Sequence, residues 1–156
     1  MSLYPLFRWL DTLSISSRIR ESVYLFPAIE VLHLFGLVML LGTVVVVDLR
    51  LLGLGMRHQT ASRVAEGVAQ WTQIGMGMML VTGGLLFVSE ALKCYQNPAF
   101  WFKMEFLLVA LIFHCTVYRR VTSSDNVGLG LSVLTGSVSL VLWFGVGLAG
   151  RAIAFV

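Results

Sequence analysis

Charge is the scarcest ingredient of this sequence. Of 156 residues only 12% are charged, against 58% hydrophobic, where a soluble domain carries about 25% charged residues. So few polar groups cannot cover a water-facing surface, and much of the solvent must be lipid. The length leaves one membrane domain, residues 1–156, and no room for a separate soluble enzyme module. Period-two alternation is also missing. The apolar residues come in continuous runs, which sets aside a β-barrel. No internal repeat, nucleophile–base pair, Gly-rich phosphate loop or zinc motif is visible. Cysteine is limited to Cys94 and Cys115. A helix between them would rise about 32 Å, whereas bridged Cα atoms lie within about 7 Å, so no disulfide within the chain is expected. Nothing reads as a cleaved signal, because Arg8 and Asp11 interrupt the first apolar stretch and no small-residue cleavage pattern follows.

What is present is long apolar runs. A bilayer core of about 30 Å needs roughly 20 helical residues, and four segments meet that length: about 23–47, 68–92, 99–118 and 127–150. Their connections are short, so sequential helices are expected as antiparallel neighbours. The fold class expected is all-α, an integral-membrane four-helix bundle with up-down topology. Leu3, Leu6, Phe7, Leu10 and Leu13 recur at helical spacing ahead of the first span, with Arg8, Asp11 and Ser14 off that stripe. This predicts a short amphipathic helix over about 3–14, lying on the membrane surface. Gly128, Ser132 and Gly136, then Gly145 and Ala149, and Gly75 with Gly83, supply small residues that let helices approach in lipid. They serve the bundle, or a homo-oligomer or larger membrane complex. The positive-inside rule gives a near tie. Arg50, Arg57, Arg63, Arg119 and Arg120 face one side, and Arg8, Arg18, Arg20, Lys93, Lys103 and Arg151 the other. The net charge of +3 is accounted for by these flanks and calls for no nucleic acid.

The informative residues are ionisable groups inside the spans, where a charge costs roughly 2.5–3.5 kcal/mol or more. Glu30 and His33 share one face of the first span at i, i+3 spacing. One level of the bundle is expected to gather Glu30, His33, Glu90, Lys103, Glu105 and Arg151. The other is expected to gather Asp48, Arg50, His114 and Arg119. Neutral imidazole ligates haem iron, and helix bundles hold such ligands in their interior. His33 and His114 are therefore the candidate axial ligands of a b-type haem, with Glu30 orienting His33 or taking up a proton. Arg50, Arg119 or Arg151 would pair its propionates. The bland alternative is a histidine that only hydrogen-bonds Glu30 or a carbonyl. Counting from span centres, His33 and His114 differ in depth by about 13 Å at 1.5 Å per residue. One shared haem then needs tilted helices; otherwise each histidine has another partner, with Met104, His58 and Met76 in reach by depth.

Other chemistries rank lower. Glu30-x-x-His33 matches half of a di-metal carboxylate site, and the other half is missing. Met39, Met76, Met78, Met79 and Cys115 suit Cu(I), but methionine is more often packing material. Glu30, Glu105 and His33 also fit a proton relay in a transporter.

The residues also resemble a family. Arg20-Glu21-Ser22, Pro27, Glu30, His33 and Gly36, and the run Asp48-Leu49-Arg50-Leu51-Leu52-Gly53 carry the likeness. It continues through Thr82-Gly83, Asn97-Pro98, Phe113-His114, Ser139 to Trp143, and Gly150-Arg151. This signature is similar to that of a family of small bacterial four-helix membrane proteins without an established activity. In layout that family resembles haem-binding and copper-resistance-type membrane bundles. The resemblance implies four spans and importance for His33 and His114, while His58 stands where that family is expected to carry Arg. The combined expectation is a bacterial cytoplasmic-membrane protein that binds haem b and passes electrons, between a quinone and a partner subunit. A non-enzymatic accessory subunit and a copper or small-solute transporter are the alternatives.

Overall fold

The computed structural model describes residues 3–56, 58–124, 127–153 and 155. Arg57 and Asn126, both assigned to loops from the sequence, lie outside the described residues. The chain is helical throughout: α1 Tyr4–Asp11, α2 Ser14–Glu21, α3 Leu25–Leu51, α4 Ala61–Ser89, α5 Ala91–Gln96, α6 Pro98–Thr122 and α7 Leu129–Ala152. No strand occurs among the described residues. Four helices, α3, α4, α6 and α7, are long and apolar enough to cross a membrane, which makes this a multi-pass membrane protein by length and composition. Their outward residues are apolar, with Val31, Phe35, Val38, Val81, Val141 and Leu148 all exposed.

Local chemistry sets the helix ends. Apolarity alone starts the second span at about 68, but α4 begins at Ala61. The Thr60 hydroxyl accepts the Arg63 backbone N–H at 3.4 Å, and Arg63 and Glu66 lower the hydropathy without opposing helix formation. The loop after α3 is accordingly shorter than the apolar pattern implies. α3 ends on Gly53 at φ +73°, with Gly53 N–H donating to Arg50 O and Leu54 N–H to Leu49 O. That paired closure needs a left-handed residue, hence glycine. Asn97 caps α6 by accepting from Ala99 N–H at 2.9 Å, and its amide donates to Ile153 O at 3.1 Å. One side chain thus ties the start of α6 to the end of α7. Asn97→Ala is expected to lose about 1–2 kcal/mol, read as a lower midpoint in detergent unfolding.

The spans pair unequally. α3 packs along α4, α6 along α7, and α3 against α7, while the α4 and α6 backbones come close at the last turn of α6, Arg119–Thr122, and their side chains meet where Phe87 stacks on Phe100 at 5.4 Å. Between α3 and α4 the contact is backbone to backbone. A Cβ on Gly75 would stand 2.9 Å from Leu40 N and 3.3 Å from Gly36 O. At the α3–α7 crossing a Cβ on Gly136 would meet Asp48 O at 3.1 Å. Leu40, Val44, Ala110, Trp143 and Val146 form the central core, and Val47, Leu51, Val64, Tyr118 and Val121 form a second core nearer the other end. Lipid tails are as apolar as leucine, so these contacts hold through close packing rather than hydrophobic transfer.

The N-terminal arm is two helices where the sequence predicts one. α1 sets Phe7 against Phe87, Tyr95 and Trp101, at ring separations of 5.1–5.9 Å. Leu6 and Trp9 remain on its outer face. α2 covers the end of α4, where the Ser16 hydroxyl and the Arg20 guanidinium both donate to Ser89 O, a carbonyl the helix leaves open. Arg20 also pairs with Asp11 at 2.9 Å. Ile15, Ser16 and Ile19 continue the arm beyond the apolar stripe that suggested one helix.

Candidate functional site

Because the α4 and α6 backbones stand apart above the stacked Phe87 and Phe100 rings, a cavity of about 630 Å³ opens between them. α3 supplies Phe26, Glu30, His33 and Leu37 to its wall, and α4 supplies Met79, Gly83 and Phe87. α6 adds Phe100 and Lys103; α7 adds Gly147, Gly150 and Arg151. Glu90 and Cys94 close one end. The volume lies within the roughly 300–1,000 Å³ of small-molecule and cofactor pockets.

His33 is the oriented group of this wall. Its Nδ1 lies 2.8 Å from Thr82 Oγ1, and that hydroxyl donates its one proton to Met78 O at 2.6 Å. Thr82 can therefore only accept from the ring, and His33 Nδ1 must carry the hydrogen. Nε2 is left with its lone pair. A histidine fixed through one nitrogen, with the other free to ligate, is the arrangement that positions metal-binding imidazoles. Gly83 makes room for the ring, since a Cβ there would stand 3.1 Å from His33 Cε1. Glu30, expected as the orienting group, is exposed at the cavity edge, and Thr82 takes that place.

Two cations reach the same cavity. Lys103 is half-buried, and a Cβ on Gly150 would come within 3.5 Å of its Nζ. Arg151 follows Gly150, with its guanidinium 4.4 Å from the Phe155 ring. Glu90 pairs with Lys93 at 2.6 Å. Burial, then the neighbouring Glu90, pushes the Cys94 thiol up to about 11. Only the thiolate alkylates readily. In a Cys115→Ala background, Cys94 is expected to react slowly with maleimide near neutral pH. Its rate should rise about tenfold per pH unit until the pH nears that value, as stopped alkylation and mass spectrometry would record.

The structure thus brings Glu30, His33, Glu90, Lys103 and Arg151 to one cavity, and leaves out Glu105, which is exposed on α6. His114 does not line that cavity. It stacks on Tyr118 at 4.8 Å and meets Trp143 edge-on at 6.0 Å. Arg50 donates to Gln59 O, while Arg119 and His58 are exposed. Met76 and Met79 pack on the central core, Met104 and Cys115 are exposed, and both cysteines are free. Among the described residues no three His, Cys, Asp or Glu side chains converge as a metal site. Sequence reading missed Thr82. Its signal was the one hydroxyl between Ile74 and Val88, in the apolar half of α4 beside Gly83.

A family model matches residues 6–156 of this chain. The chain belongs to DUF6644, a family of unknown function. Nothing among curated proteins or solved structures matches it. The DUF6644 match takes in all four candidate spans, so every residue lining the cavity falls inside it.

Proposed function

We propose that this protein is a b-type cytochrome of the bacterial cytoplasmic membrane, in which His33 would hold one haem in the cavity. The observation that carries the reading is the fixed tautomer: Thr82 holds the Nδ1 hydrogen, so Nε2 offers its lone pair inside a cofactor-sized space. A porphyrin supplies four nitrogen ligands itself, so one protein imidazole is enough where the described residues form no three-ligand cage. Lys103 and Arg151 line the cavity and would pair two propionates, and Phe26, Phe87 and Phe100 would pack against a flat apolar macrocycle. Bound haem supplies one-electron chemistry. The chain's part is to ligate, to neutralise the propionates and to exclude water. Glu30, at the cavity edge, would be the group that takes up a proton coupled to electron uptake.

In this reading the four spans run up-down-up-down, and α1 lies along the membrane surface with Leu6 and Trp9 in the headgroup region. Electrons pass between a membrane quinone and a partner subunit. His114, away from the cavity, is not a ligand of this haem. A second reading draws on Met79 and Cys94, which line the same cavity as His33 and form a soft set suited to Cu(I).

The test is the absorption spectrum of protein purified from haem-replete membranes, together with metal analysis. A Soret band that shifts on dithionite reduction, at about one haem per chain, is expected. Colourless protein carrying copper would replace haem with the second reading. Colourless, metal-free protein would leave an accessory role in helix packing.

A further inference from the structure

A second polar region lies about 22 Å along α3 from His33, at 1.5 Å per residue. It is independent of the haem reading. Asp48 is fully buried, and neither of its carboxylate oxygens makes a hydrogen bond. It sits on the inward face of α3 with Val44, Val47 and Leu51, while Arg50 turns away to Gln59 O. The hydroxyls of Tyr118 and Ser139 face the carboxylate, yet neither closes a hydrogen bond to it, and both are themselves unpartnered. Thr135, Ser139 and Trp143 follow at i, i+4 and i+8 on one face of α7, all buried with unpartnered polar atoms. His114 Nδ1 is another. The π turn at His114–Tyr118 carries two members of the group, and such turns are frequent at functional sites.

So many unmet polar atoms where the two cores adjoin would cost a large share of a fold's stability, and such groups mark bound water or an ion. Their chemistry chooses between the two. Trp143 Nε1–H can only donate, the carboxylate can only accept, and the hydroxyls and the imidazole do either. Water satisfies that mixture, whereas a metal cation would be repelled by the indole N–H. Among the described residues no cationic side chain forms an ion pair with Asp48. From α6 the titratable group facing it is Tyr118, with Arg119 within reach of His114. From α7 it meets hydroxyls, and α4 brings Val64 and Val68 to this level.

We propose that Asp48 is a proton-binding station within a small internal water cluster closed by Tyr118, His114, Thr135, Ser139 and Trp143. The carboxylate takes a proton from a protonated cluster water, forming an O–H bond, becoming neutral and leaving a neutral water, and on release the proton returns to water as the O–H bond breaks.

Infrared spectroscopy of the full chain in liposomes, titrated with pH in light and heavy water, tests this. A protonated-carboxyl C=O stretch is expected that shifts in heavy water and is lost in Asp48→Asn. Tyr118→Phe and Ser139→Ala should shift its frequency and its titration midpoint, which keeps the test decisive if Asp48→Asn does not fold. A band indifferent to Tyr118→Phe and Ser139→Ala would overturn the proposal. So would the absence of any protonated-carboxyl band, with a thermal midpoint that rises with Na⁺ in wild type alone; that result would assign the site to a metal cation.

Discussion

His33→Ala is expected to abolish the Soret band, whereas His114→Ala keeps it. The asymmetry follows from where the two rings lie. His33 Nε2 is a free lone pair on the wall of a space of about 630 Å³, and removing it takes away the one imidazole lining that space. His114 lies in another polar group, against Tyr118 and Trp143, and its loss leaves the cavity lining intact. Thr82→Val is the graded companion. It keeps His33 but removes the acceptor for Nδ1–H, so the ring is free to change tautomer. Substitutions of that kind cost roughly 10–100-fold in affinity, and His33→Ala should exceed that. Haem content per chain, measured as the pyridine haemochrome, checks all three variants. Equal loss in His33→Ala and His114→Ala would return the account to two histidines sharing one haem.

Gly75→Ala is expected to destabilise the bundle by about 3 kcal/mol, the upper end for overpacked cores. The added Cβ would meet Leu40 N at 2.9 Å and Leu40 Cα at 3.2 Å. Both are backbone atoms in the middle of α3, and neither can swing aside as a side chain would. α3 and α4 must then separate along their whole contact, which also disturbs the Thr82–His33 hydrogen bond between the same two helices. Gly77→Ala, on the same helix with open space around it, is the control. It should be neutral or gain up to about 1 kcal/mol from helix propensity. Reversible unfolding in mixed micelles gives both values, and matching values would show that the close approach is not what holds α3 to α4.

The four spans were legible because lipid makes apolar length a nearly sufficient signal. What the apolar pattern could not give was the first two turns of α4. Arg63 and Glu66 read as loop to a hydropathy scale, but Thr60 caps a helix that continues through them. The π turn in α6 has no residue signature. Depth counting grouped Glu30, His33, Glu90, Lys103, Glu105 and Arg151 at one level, and all but Glu105 line the cavity, because level is not face. Lys103 and Glu105 are two residues apart, about 200° around a helix, so one enters the cavity and the other leaves it. Asp48 and Arg50 part for the same reason. They looked like neighbours closing one helix, yet one is buried with Val44 and Leu51 and the other reaches Gln59 in the following loop. Thr82, Thr135 and Ser139 were passed over because single hydroxyls are common in membrane helices. Only their placement against His33 and Asp48 gives them a role.

The central claim is that His33 Nε2 binds iron from within this cavity. Imidazole rescue of His33→Gly tests it most directly, because added imidazole can replace only the missing ring. Haem-reconstituted His33→Gly should lack the wild-type reduced spectrum and regain it as imidazole is titrated in. A wild-type spectrum from His33→Gly without imidazole would contradict the assignment of His33 as the ligand.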